Sequence, residues 1–178
     1  MRTHEAIVQD YYGTNYIAHK DSDKDITIFI VDDNPVYLNL LKNSIKRKNF
    51  SVLAFSTGEE CINYLDIQPE LVILDYHLDG VNPYAMNGAQ VSEIIKKQSP
   101  ETEVMLISSD KKFQLISKIN VAKNLLFKDK QTLPKVKKKI NTIIQHSTEK
   151  NVQLSKIAAA VIVILMLSLL FYSLFKLF

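Results

Sequence analysis

Nineteen consecutive residues, Ile157 to Phe175, carry no charge, and from there to Phe178 the chain holds one, Lys176. At ~1.5 Å per residue such a helix is ~28 Å long, close to the ~30 Å hydrocarbon core of a bilayer. Twelve of its positions are Leu, Ile, Val or Phe, each favouring mid-membrane insertion by roughly 0.3 to 0.6 kcal/mol. A domain of this size rarely encloses a helix that is apolar on every side. Residues 157–177 are therefore expected to form a transmembrane helix.

Orientation follows from what flanks it. The leader MRTHEAIVQDYYGTNYIAHKDSDKD has no apolar run resembling a signal-peptide core, so nothing in it directs the domain across a membrane. Lys135, Lys137, Lys138, Lys139, Lys150 and Lys156 precede the span and only Lys176 follows it, which puts the N-terminal side in the cytoplasm by the positive-inside rule. The expectation is a single-pass protein of the cytoplasmic membrane with a tail anchor. Phe171, Tyr172 and Phe175 cluster at the distal end, where aromatic rings favour the interface and Lys176 can snorkel outward.

The net charge of +3 conceals a division: residues 1–127 sum to −4 and residues 128–156 to +6. Anionic headgroups attract basic juxtamembrane segments by about 1 kcal/mol per nearby Lys or Arg, so lipid is an expected partner. A solvated lysine face of the last helix explains the same pattern equally well. No aromatic stacking set accompanies the lysines, and no nucleic acid is expected. The single cysteine, Cys61, excludes an internal disulfide framework and agrees with a reducing compartment.

Between a polar leader (1–25), expected to be disordered, and a basic linker (147–156), the pattern alternates. Strands are expected at Thr27–Val31, Ser51–Phe55, Leu71–Leu74, Val104–Ile107 and Asn124–Phe127. Helices are expected after Pro35, after Gly58, over Gly88–Gln98, over Asp110–Ile119 and over Leu133–Ile144. Asn34 suits a helix cap and Pro35 the first turn behind it. Leu38, Leu41 and Ile45 share the face of the first helix, and Cys61 reads as a small core residue of the second. Five apolar strands alternating with helices argue an α/β fold, a parallel sheet covered on both faces by right-handed crossovers. In such sheets the ligand site lies beyond the carboxyl ends of the strands. The polar residues found there are Asp32 and Asp33, Asp75, Ser108 and Lys128.

Three carboxylates converging in one pocket repel each other by roughly 4 kcal/mol per pair at ~4 Å and an effective dielectric of 20. A hard cation relieves this, and Mg2+ suits oxygen ligands combined with a phosphate. Asp32 and Asp33 would hold the metal, Asp75 could attack phosphorus as a nucleophile, and Lys128 and Ser108 would neutralise and hydrogen-bond the transferring group.

The run VDDN, an Asp ending a hydrophobic third strand, a hydroxyl residue ending the fourth and a Lys ending the fifth together resemble the receiver domain of two-component response regulators, over about residues 26–146. The resemblance implies a flavodoxin-like, doubly wound sheet of order 2-1-3-4-5, Mg2+ dependence, and phosphorylation of Asp75 by a sensor histidine kinase or phosphotransfer protein. It also implies that the main-chain carbonyl of His77 completes the metal shell with Asp32, Asp33 and Asp75. The chain departs from the family pattern in a longer loop, YHLDGVNPYAMNG, in Leu125 where an aromatic residue is usual, and in Asp129 in place of a frequent proline. Asp79 in that loop reads as a turn residue beside Gly80. No output domain is expected after residue 146, so signalling would pass to a downstream protein by contact. Beyond slow self-phosphorylation and self-dephosphorylation no enzyme activity is expected. A membrane scaffold that has lost phosphorylation and an aspartyl-phosphate phosphohydrolase are the competing readings. The latter would carry a second acid at the position of His77.

Overall fold

The computed structural model describes residues 6–9, 15–18, 26–80, 82, 84–110 and 125–175. The chain falls into two compact units, residues 1–137 and 138–178. In the first, strands β1 (Ala6–Gln9) and β2 (Asn15–Ala18) pair antiparallel, Ala6 opposite Ala18. This pair lies in the leader expected to be disordered, where polar composition gave no sign of it.

The main sheet holds β3 (Ile26–Val31), β4 (Phe50–Phe55), β5 (Leu71–Asp75), β6 (Glu103–Ser108) and β7 (Leu125–Phe127), in the order β4-β3-β5-β6-β7. All four pairings are parallel. Counted along the sheet alone this is the 2-1-3-4-5 order expected from the resemblance. β3 and β5 are buried throughout, as central strands covered on both faces must be, which is why their sequences are apolar without alternation.

Helix α1 (Pro35–Ile45) starts at the Asn34 cap, whose side chain accepts from the Val36 and Tyr37 amides, and buries Leu38, Leu41 and Ile45. Such a cap contributes about 1 kcal/mol. Helix α2 (Gly58–Asn63) is capped by Thr57 and buries Cys61, and a 3-10 turn over Leu65–Ile67 follows it. Burial pushes the Cys61 thiol up to about 12, so it behaves as a small apolar side chain. Helix α3 (Gly88–Gln98) opens with a reciprocal capping box between Asn87 and Gln90. Val91 and Ile95 of α3 join Phe29, Val31, Phe55 and Leu74 in one core cluster.

Gly88 is where backbone approaches backbone in this packing. Its amide donates to the Tyr76 carbonyl at 2.8 Å, and a Cβ placed on it would lie 2.2 Å from the Asp75 carbonyl oxygen and 2.8 Å from the Tyr76 Cα. Those neighbours are backbone and cannot rotate away. Gly88→Ala is expected to cost about 3 kcal/mol, the upper end of overpacking penalties, which a thermal melt would show as a drop of roughly 10 °C. An unchanged melting temperature would mean that α3 can move off β5.

Helix α4 runs unbroken from Thr132 to Phe175, 44 residues. The helix over Leu133–Ile144, the basic linker and the apolar segment are thus one element, since no Pro or Gly interrupts residues 135–175. Its Val136 is fully buried, whereas the large apolar side chains described from Val152 on are exposed. The helix expected over Asp110–Ile119 lies, from residue 111 on, outside the described residues, as do Asn124 and Lys176.

Candidate functional site

Strand register assembles the site. Val31 pairs with Leu74, so the next residues, Asp32 and Asp75, emerge side by side at the carboxyl edge of the sheet. Asp75 pairs with Ile107, which places Ser108 one step beyond on the neighbouring strand. Ser108 in turn pairs with Phe127, and the Lys128 amide donates to the Ser108 carbonyl at 2.8 Å.

The Lys128 Nζ lies 2.7 Å from Asp32 Oδ2 and 2.9 Å from Asp75 Oδ2. One carboxylate oxygen from each of Asp32, Asp33 and Asp75 falls within 4.8 Å of the others. Asp32 and Asp75 are buried and Asp33 is half-buried. The second oxygen of Asp32 accepts from the Asn34 amide at 3.0 Å, while Asp75 Oδ1 is buried with no hydrogen-bond partner among the described residues. An orphaned carboxylate oxygen is costly unless a cation or donor meets it. Three carboxylates against one ammonium leave two uncompensated charges, the match for a divalent ion, and the all-oxygen donor set suits Mg2+.

Burial holds the Asp32 carboxyl above its ordinary value; the Lys128 hydrogen bond pulls it down and the Asp75 charge pushes it up. Lys128 moves the same way for a different reason: burial alone would lower it, but the hydrogen bonds and charges of Asp32 and Asp75 together outweigh that and raise it. An ion pair would ordinarily depress its acid. Here desolvation of a nearly inaccessible carboxyl wins.

The remaining expected residues lie around this centre. Ser108 is fully buried, and its Oγ accepts from the Asp110 amide at 3.2 Å; among the described residues no acceptor takes its proton. A Cβ placed on Gly80 would lie 3.6 Å from Asp33 Oδ2 and 4.0 Å from the His77 carbonyl oxygen, so both atoms lie close to Gly80. The His77 ring instead packs edge-on against Tyr76, centroids 5.0 Å apart. Asp79 sits in the turn before Gly80 and is not a member of the cluster. Leu125 packs against the core.

The long loop after β5 is held at several points. Leu78 is buried, the Met86 amide donates to Glu59 Oε1 at 2.9 Å, and Asn82 accepts from the Tyr84 and Ala85 amides. Between this loop and the start of α2 a cavity of about 490 Å³ opens, lined by Asp33, Ser56, Thr57, Glu59, Asn82 and Tyr84 among others. Sequence reasoning missed Glu59 as the anchor of the loop. It also missed Tyr37, whose ring centroid lies 4.6 Å from Lys128 Nζ. Neither has a sequence signal, since each acts on a residue far along the chain.

Residues 28–141 match the family model of the response regulator receiver domain. A two-component response regulator of Arabidopsis thaliana, ARR21, is 28% identical over 108 residues, 59% of this chain and 16% of its own length. Hybrid signal transduction histidine kinase C of Dictyostelium discoideum is 29% identical over 80 residues, 44% of this chain and 6% of its own. The chain therefore spans a small fraction of either relative. Among solved structures, a CheY-like receiver domain protein of Methanospirillum hungatei JF-1 superposes with a TM-score of 0.57 at 18% identity, covering 70% of this chain and 98% of that one. The receiver domain of an HD domain-containing protein of Pseudomonas fluorescens Pf-5 gives 0.57 at 21%, covering 70% and 98%. These likenesses are of fold. Taken with the family match, they show that the chain belongs to the response regulator receiver family.

Proposed function

We propose that this protein accepts a phosphoryl group on Asp75 from a histidine kinase or phosphotransfer protein and signals by contact with a downstream protein while anchored to the cytoplasmic membrane. The observation that carries the reading is the Lys128 ammonium bridging Asp32 and Asp75, with Asp33 beside them. In the transfer, an Asp75 oxygen bonds to phosphorus as the P–N bond of the donor phosphohistidine breaks, and the imidazole leaves with the electron pair. Lys128 neutralises an oxygen of the moving group, and the Ser108 hydroxyl donates to another. Asp32, Asp33, Asp75 and the His77 carbonyl would hold Mg2+, which supplies charge neutralisation for the carboxylates and the phosphoryl oxygens. The added charge of about −1.5 to −2 then reshapes the loops that bear Ser108 and Lys128 into a partner surface.

The full chain in detergent, given a small acyl-phosphate donor and Mg2+, is expected to acquire an acid-stable, hydroxylamine-labile phosphoryl group, and to acquire none in EDTA. No labelling by such a donor or by a kinase would favour a scaffold, and multiple turnover of a phosphomonoester would favour a hydrolase.

The anchor is supported by α4, the one helix among the described residues long and apolar enough to cross a bilayer. Its exposed run, in which Ile164 is 64% and Met166 67% accessible, is too large an apolar surface to face water. The lysines before it suit anionic headgroups, and tethering raises the effective concentration near membrane-bound partners. Deleting residues 155–178 is expected to shift the protein from the membrane to the soluble fraction. A truncated protein that still sediments with membranes at high salt would overturn the anchor.

A further inference from the structure

Two sides of the Lys128 ammonium are taken by Asp32 and Asp75. A third faces the ring of Tyr37, 4.6 Å from Nζ to the centroid. Tyr37 is half-buried in the first turn of α1. The turn that places it also places Asp32: the Asn34 side chain accepts from the Tyr37 amide at 3.2 Å, and the Asn34 amide donates to Asp32 Oδ1 at 3.0 Å. The ring thus stands on the backbone turn that carries the acid, while its face meets the ammonium of Lys128.

A lysine ammonium is a strongly hydrated point charge on a flexible four-carbon stem. Left open, its third side would draw water and let the stem swing away from the carboxylates. An aromatic face attracts the cation and excludes that water. We infer that Tyr37 is a positioning residue, its ring face holding the Lys128 ammonium over Asp32 and Asp75 where an arriving phosphoryl oxygen will be met. This rests on the phosphoacceptor reading of the same site. Tyr37 itself transfers no proton and makes no bond to phosphorus.

The test compares full-chain wild type, Tyr37→Phe and Tyr37→Leu in detergent with Mg2+ and acetyl phosphate. Phenylalanine keeps the ring face and is expected to label within about twofold of wild type. Leucine keeps bulk without the face and is expected to label about three- to thirtyfold more slowly, the rate equivalent of a cation–ring contact. In lysine-labelled protein, the Lys128 side-chain protons next to Nζ should resonate upfield in wild type and Tyr37→Phe, and lose that ring-current shift in Tyr37→Leu. Equal labelling by Tyr37→Leu and wild type, or a Tyr37→Phe rate as low as that of Tyr37→Leu, would overturn the inference. Failure of the wild type to label would instead overturn the phosphoacceptor reading and remove the role of Tyr37 with it.

Discussion

An Asp75→Asn protein is expected to keep its fold and take up no phosphoryl group. Asparagine has the shape of aspartate, so β5 and its register with β6 are undisturbed, and its side-chain oxygen can still accept from Lys128. What disappears is the nucleophile. An amide oxygen carries too little negative charge to displace imidazole or acetate from phosphorus, and removal of a covalent nucleophile costs rates on the order of 10⁴ or more. Labelling should therefore fall below detection. Stability should move the other way in EDTA. Part of the reason the Asp32 carboxyl sits above its ordinary range is the neighbouring Asp75 charge. Deleting that charge relieves a repulsion that at ~4 Å amounts to a few kcal/mol at an effective dielectric of 20, less what Lys128 loses in attraction. A melting temperature at or above that of wild type, with no label, separates loss of chemistry from loss of fold. Hydroxylamine-labile label on Asp75→Asn would mean that Asp32 or Asp33 takes the phosphoryl group, and the assignment would fail.

The parts of this site that were legible in the sequence are those fixed by strand ends. Asp32, Asp75, Ser108 and Lys128 each end or follow an apolar run, and in a parallel sheet the ends of adjacent strands meet at one edge. The pairing of Val31 with Leu74 and of Asp75 with Ile107 is the physical content of that rule. The glycine that admits α3 against β5 was visible only as a helix start, because its close approach to the Asp75 carbonyl depends on how the crossover packs. Tyr37 reads from sequence as one more half-polar residue on α1. Its partner Lys128 lies on another strand end, and no periodicity links them. The unbroken α4 follows from the absence of Pro and Gly between Thr148 and Leu154, which the sequence shows directly although composition changes along the helix from lysine-rich to apolar. The leader strands β1 and β2 were missed because, at four residues each amid polar neighbours, they show no pattern long enough to register.

Lys128→Met tests the electrostatic design itself. The Lys128 side chain is 15% exposed, and those of Asp32 and Asp75 are 2% and 5%, so screening by solvent does little to soften its loss. Breaking a buried pair by removing one partner typically costs roughly 3–5 kcal/mol. A second estimate bounds the figure: with its ammonium gone, one carboxyl can take up a proton, and holding an acid of ordinary pKa protonated at pH 7 costs about 4 kcal/mol. The two agree. The sign with pH follows from Asp32, whose folded value is already raised by burial and by Asp75 and would rise further without Lys128. A raised folded value gives a contribution to stability that is full below the unfolded value of 3.8 and is lost as pH rises through the folded value. The deficit of Lys128→Met in EDTA should therefore shrink as pH falls from 7 toward 5. Mg2+ should recover much of it at pH 7, because a divalent ion supplies the charge that the lysine no longer does. Phosphoryl transfer should not recover: the metal neutralises the carboxylates, but the oxygen that Lys128 would meet loses its donor, a loss of about 10²- to 10³-fold in rate by analogy with other preorganised donors. Thermal melts with and without Mg2+ at the two pH values, beside the labelling rate, check each step. A variant as stable as wild type in EDTA at pH 7 would show that the carboxylates do not depend on Lys128, and that its place between them is incidental.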